Sequence, residues 1–149
     1  MGLSAKTYLQ INQALFSLAH AYESRLAKEE ARNDVGLKMS DCSVLMLLHQ
    51  FAPITASRLS KMMDVNPGAV SIYVHHLVEM DLVSKRQDPD DRRNWHLTLT
   101  DAGATVARGV VDGAVEYTRD FLSDLGESEQ RELHRLLLKA SHALGFTWQ

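Results

Sequence analysis

The chain is poor in several things, and each shortage excludes a class of protein. Among 149 residues there is one cysteine, Cys42, so no internal disulfide framework can hold the fold. No apolar run approaches the roughly 20 residues that a membrane span needs. The opening MGLSAKTYLQ has no signal-peptide core, and Lys6 spoils an acylation motif headed by Gly2. A cytoplasmic protein with no membrane partner is expected. There is no glycine-rich phosphate loop, no Ser-His-acid frame and no clustered Cys/His set. The residues point to no enzyme, no cofactor and no metal.

Basic charge in excess is also missing. The net charge is −3, but its distribution is uneven. Residues 52–100 carry six Lys/Arg and six Asp/Glu, whereas residues 101–149 carry five against eight. Neutral overall, the central third gathers its cations at Arg58, Lys61, Lys85, Arg86, Arg92 and Arg93. Local clustering of this kind can create an anionic-ligand footprint that net charge hides.

The histidines and the cysteine form no obvious site. His75 and His76 differ by about 100° around a helix and do not easily share a metal. His134 and His142 are too far apart on one helix for a two-histidine site. Asp41 beside Cys42 opposes thiolate formation, which favours a partly buried, inert thiol over a redox switch.

What the sequence does have is periodicity. Tyr8, Ile11, Leu15, Leu18, Tyr22 and Leu26 recur at helical steps and predict one long helix from residue 4 to about 30. At 1.5 Å per residue it spans about 40 Å, longer than a small core requires, so part of it is expected to pack on another subunit. Ser40 is expected to cap a second helix, with Asp41 favouring its positive end and Val44 to Phe51 supplying the apolar side. Thr55 is the expected N-cap of a short third helix over Ala56–Met63. Asn66 and Pro67 open a fourth that ends near Met80.

On that fourth helix Val70, Tyr73, Val74 and Leu77 make the core face. Gly68, Ile72, His75 and Glu79 lie opposite, with Ser71 and His76 on the flanks. Two helices joined by a tight connection, the second beginning with small residues, form a helix-turn-helix. Gly68, Ala69 and Ser71 permit the close backbone approach that entry into a major groove demands.

Two strands follow, Val83–Gln87 and Trp95–Leu99, separated by a hydrophilic turn that Asp88-Pro89 starts. Thr100 stands at the N-cap of the next helix, from Asp101 to about Leu125. In that helix Gly103, Gly109 and Gly113 cost stability, roughly 1 kcal/mol each against Ala, and close approach of a neighbouring helix is one way to offset it. A last helix runs from about Glu127 to Leu144. The hairpin has the form of a wing, whose usual partner is a DNA backbone or minor groove. The fold class is mainly α with a small β-hairpin wing: a winged helix-turn-helix domain over 37–100, between long dimerisation helices at 1–36 and 101–149.

Two stretches, ITASRLSKMMDVNPGAVSIYVHHLVEMDLV at 54–83 and DPDDRRNWHLTLTDAG at 88–103, resemble the MarR family of winged helix-turn-helix transcriptional regulators. The resemblance extends over nearly the whole length. It implies a ligand-responsive homodimeric repressor whose terminal helices interlock, acting on double-stranded DNA at a pseudo-palindromic operator. It also implies a small aromatic or phenolic effector, for which no ligand-binding residue can be named. By resemblance, Arg92 is the minor-groove arginine, and Asp91 and Arg93 form the acidic–basic pair that shapes the wing. Pro67, Gly68, Ala69, Ser71, Ile72, His75 and His76 fall on groove-facing positions, and Arg58 on a phosphate-reaching one. The chain departs from the family where basic residues are common, at Ile72 and His76, and where a glycine is usual, at Asp81. A recognition helix without Lys or Arg, in a chain of negative net charge, leaves one alternative: a winged-helix protein-interaction module with weak or lost DNA binding.

Overall fold

The computed structural model describes residues 2–32, 36–89, 91, 92 and 94–143. The chain divides into two compact units, Met1–Met39 and Ser40–Gln149.

The first unit is dominated by α1, Ala5–Arg32. Ser4 begins it, with its hydroxyl accepting from the Thr7 amide at 3.1 Å. An unbroken run of helix-compatible residues extends it over 28 positions, as the periodicity predicts. Tyr8, Ile11, Leu15, Leu18 and Tyr22 all remain exposed along it, and Phe16, off that stripe, is 74% exposed.

The second unit contains α2 (Met39–Phe51, its first residue belonging to the first unit), β1 (Ile54–Thr55), α3 (Ala56–Met63), α4 (Pro67–Glu79), β2 (Val83–Gln87), β3 (Trp95–Leu99), α5 (Asp101–Phe121) and α6 (Glu127–Ala143). Ser40 lies inside α2 instead of capping it. Both wing strands fall within the bounds expected from the sequence, with Val83 opposite Leu99 and Gln87 opposite Trp95. The hairpin is part of a larger sheet, however. Ile54 pairs with Leu97 and Thr55 with His96, so β3 is central in the order β1-β3-β2. A two-residue strand has no sequence period of its own, and only its partner reveals it.

One core serves this unit. Val44, Leu45 and Leu48 of α2 are buried, as are Ile54, Leu59, Val70, Val74, Leu77 and Leu97. Each such side chain contributes roughly 1.5–3 kcal/mol against exposure. Tyr73, expected with them, is only half-buried. Beyond the core the C-terminal helices are sparsely covered. Gly103 and Ala107 are the buried residues of α5, and no described residue of α6 is buried. Helix α5 stops at Phe121, short of Leu125, and Gln130 reaches back to the Leu122 and Leu125 carbonyls at 3.2 and 2.9 Å. Among the described residues no helix is long and apolar enough to cross a membrane.

A candidate nucleic-acid interface

Local capping chemistry sets the helix-turn-helix. The Thr55 hydroxyl accepts from the Arg58 amide at 3.2 Å, and Asn66 Oδ1 accepts from the Ala69 amide at 2.9 Å. Each cap contributes about 1 kcal/mol. Between them Asp64 turns the chain in the left-handed conformation, φ 52°, and the buried Ser60 donates to the Val65 carbonyl at 2.6 Å. The connection is therefore held from both sides. Pro67 follows as the first helical residue, where its missing N–H costs nothing.

Helix α4 buries Val70, Val74 and Leu77 and turns its other face outward. Pro67, Gly68, Ser71, Ile72 and His75 are exposed, and Ala69 is half-buried. Ile72 is 69% exposed, a large apolar side chain held in solvent by the helix itself. His75 Nε2 lies 3.4 Å from Glu79 Oε1, one turn on, and both side chains are largely exposed. His76 differs from this group. Its Nδ1 lies 2.9 Å from Oδ2 of Asp41 on α2, a carboxylate that is 1% exposed. Periodicity read Asp41 only as a favourable first-turn charge, and a separation of 35 positions hides the pairing. Arg58 is exposed on α3, with its guanidinium carbon 5.8 Å from the Phe51 ring centroid. That contact limits the freedom of a side chain otherwise open to solvent.

The wing closes through its own backbone and acidic side chains. The Asp88 amide donates to the Asn94 carbonyl, and the Asn94 amide to the Asp91 carbonyl, both at 2.9 Å. Asp91 Oδ2 accepts from Asn94 Nδ2 at 3.0 Å, a bond within the turn that fits a wing-shaping role. Asp88 does more than start the turn. Its Oδ1 accepts from the Asp91 amide at 3.1 Å, and its Oδ2 lies 2.7 Å from His96 Nε2. Gln87 Nε2 donates to the Arg92 carbonyl at 2.6 Å, fixing the backbone that carries the exposed Arg92 side chain. Asp90 and Arg93 lie outside the described residues. The sequence reading gives Asp88 only the role of turn starter and gives His96 no role at the site. An aspartate before proline at a turn is the signal for the first, and a histidine eight residues on, across the same turn, for the second.

A largely apolar groove of about 630 Å³ lies between α2 and α5, lined by Met46, His49, Gln50, Val111, Ala114, Val115 and Thr118. No group of three or more His, Cys, Asp or Glu among the described residues is arranged to hold a metal ion.

This arrangement is shared with known proteins. Residues 37–95 match the sequence model of the MarR family. The HTH-type transcriptional repressor MdtR of Bacillus subtilis (strain 168) is 26% identical over 114 residues, 76% of this chain and 74% of the relative. The HTH-type transcriptional regulator MgrA of Staphylococcus aureus is 26% identical over 137 residues, 91% of this chain and 92% of its own. Among solved structures, Streptococcus pneumoniae FabT in complex with DNA superposes with a TM-score of 0.75 at 20% identity, covering 93% of this chain and 97% of FabT. A MarR protein from Peptoclostridium difficile gives 0.80 at 20% identity, covering 97% and 93%. At that identity the likeness to the solved structures is one of fold.

Proposed function

We propose that the chain, whose residues 37–95 match the MarR-family model, is a sequence-specific DNA-binding transcriptional regulator, working as a cytoplasmic homodimer and as a ligand-responsive repressor. The observation that carries this reading is the capped α3–α4 unit joined by a shared sheet to a wing whose turn holds Arg92 at its surface. MdtR and MgrA, both named as transcriptional regulators, support it.

In this reading the N-terminal part of α4 enters a major groove, with Pro67, Gly68, Ala69 and Ser71 nearest the DNA. Ile72 touches a thymine methyl, while Ser71 and the histidines meet base edges or phosphates. Arg92 and Arg93 reach a flanking minor groove, Asp91 keeps the wing in shape, and Arg58 neutralises a phosphate. Two such domains, about one helical turn apart, read a pseudo-palindromic operator. The segments 1–36 and 101–149 bring them together. What supports that role is the apolar surface a single copy leaves uncovered: Leu15 and Phe16 on α1, Val115 and Phe121 on α5, Leu136 and Leu137 on α6. A small aromatic or phenolic effector fits the chemistry of the α2–α5 groove. Binding there would favour a separation of the two domains that no longer matches the grooves.

The deciding experiment is fluorescence-anisotropy binding to the DNA upstream of the chain's own coding sequence, against scrambled DNA, across a range of salt. Sequence preference with a steep salt dependence, weakened by Arg92→Ala, is the expected result. A folded dimer with no preference, there or in a wider operator selection, would sink the reading.

A further inference from the structure

The recognition helix has no lysine or arginine from Pro67 to Glu79, so any cation it offers DNA must come from a histidine. His76 is held in an unusual way for that purpose. Asp41 is 1% exposed, and a buried carboxylate is costly unless it is paired. His76 Nδ1, at 2.9 Å, supplies part of that pairing. An ionised carboxylate only accepts, so the ring proton sits on Nδ1, and in the neutral ring Nε2 is a bare acceptor. Such a ring repels a phosphate oxygen. Once Nε2 also carries a proton, the imidazolium donates at both nitrogens. The side chain is 36% exposed, so part of the ring is open to an incoming group.

We propose that Asp41 and His76 form a proton-dependent DNA-contact dyad. Binding takes up one proton from solvent at His76 Nε2, which then donates to a backbone phosphate, while Asp41 fixes the ring through Nδ1. The proposal rests on the reading of the chain as a DNA-binding regulator and adds a condition to it. Other charged or titratable groups stand on the elements around α4: His49 on α2, Arg58 and Lys61 on α3, Lys85 and Arg86 on β2. On α4 itself are His75 and Glu79, engaged with each other. Among the described residues, Asp41 alone of these is hydrogen-bonded to the ring. Asp41 is thus a positioning residue, and His76 the contact.

The test is DNA affinity at constant salt between about pH 8 and pH 6, the interval in which imidazole ordinarily titrates. The labelled duplex carries the chain's own upstream sequence, and the proteins are wild type, His76→Gln, His134→Gln on the exposed face of α6, and Asp41→Asn. Wild type should tighten about tenfold as pH falls, a slope that His134→Gln keeps and His76→Gln flattens. Asp41→Asn should flatten it too, with the fold checked by thermal melting. Nitrogen-15 shifts of His76 at about pH 7 provide a readout that needs no core substitution: Nδ1–H neutral should prevail in the free protein and the doubly protonated ring in the complex. A slope retained by His76→Gln, or a neutral His76 in the complex at the acid end, overturns the dyad. Salt-sensitive binding that needs Arg92 but ignores pH overturns the dyad alone, whereas absence of binding at every pH overturns the regulator reading with it.

Discussion

Gly103 on α5 packs directly on the backbone of Leu82, so closely that a Cβ added to it would lie 1.8 Å from the Leu82 carbonyl oxygen. No side chain fits there without moving backbone. Gly103→Ala should destabilise the winged domain by about 3 kcal/mol, visible as a large fall in Tm. Gly109, in the same helix, meets nothing within 4 Å, so Gly109→Ala should stabilise by about 1 kcal/mol. Close approach of a neighbour, one way to offset the cost of these glycines, is found at Gly103, whereas Gly109 and Gly113 meet nothing within 4 Å among the described residues.

Asp81 ends the turn after α4 with φ 56°, in the left-handed region that favours glycine. An L side chain there costs roughly 1 kcal/mol, somewhat less for aspartate. Asp81→Gly should raise stability by about 0.5–1 kcal/mol in chemical denaturation, since the bond from Thr100 Oγ1 to the Asp81 carbonyl uses backbone alone on that side. A lower midpoint would show that the carboxylate has a stabilising contact that outweighs the strain.

The wing separates shape from charge. Arg92→Ala should weaken DNA binding about tenfold and reduce the slope of log affinity against log salt by about one. Asp88→Ala removes the acceptor of the Asp91 amide and the partner of His96. It should also weaken binding several-fold, but with the salt slope kept, because a misplaced arginine still carries its charge. Titrations at three salt concentrations distinguish the two.

Helix α1 presents Leu15 and Phe16 to solvent in one copy. A charge in that surface should break a dimer that buries it: Leu15→Glu is expected to sediment as a monomer while the winged domain keeps its helical circular dichroism. A variant that still sediments as a dimer would move the interface elsewhere.

Much of the fold is legible locally, because its determinants lie within a few residues of each other. Thr55, Asn66 and Thr100 are caps at the helix starts where short polar side chains are expected. Trp95 to Leu99 alternate, and Leu97, the middle residue of that strand, is the buried one. The outward face of α4 follows from 3.6-residue geometry. What escapes such reading depends on partners remote in sequence. Strand β1 exists only because Ile54 meets Leu97, 43 positions on, and Asp41 is buried only where α4 brings His76. Residues of the interface could be listed from pattern and resemblance, but of the bonds that aim them, those of Asp88 and His96 close across the wing turn and that of Asp41 comes from tertiary approach.

One residue, Thr100, separates the central strand β3 from α5, and it is fastened on three sides. Its amide donates to the Leu82 carbonyl at 3.1 Å, its hydroxyl donates to the Asp81 carbonyl at 2.7 Å, and the same oxygen accepts from the Gly103 amide at 2.9 Å. Strand, helix and the turn after α4 therefore meet at one bonded joint. A tilt of α5 would be passed through Thr100 to β3 and to the turn that ends α4, as a crank turns its shaft.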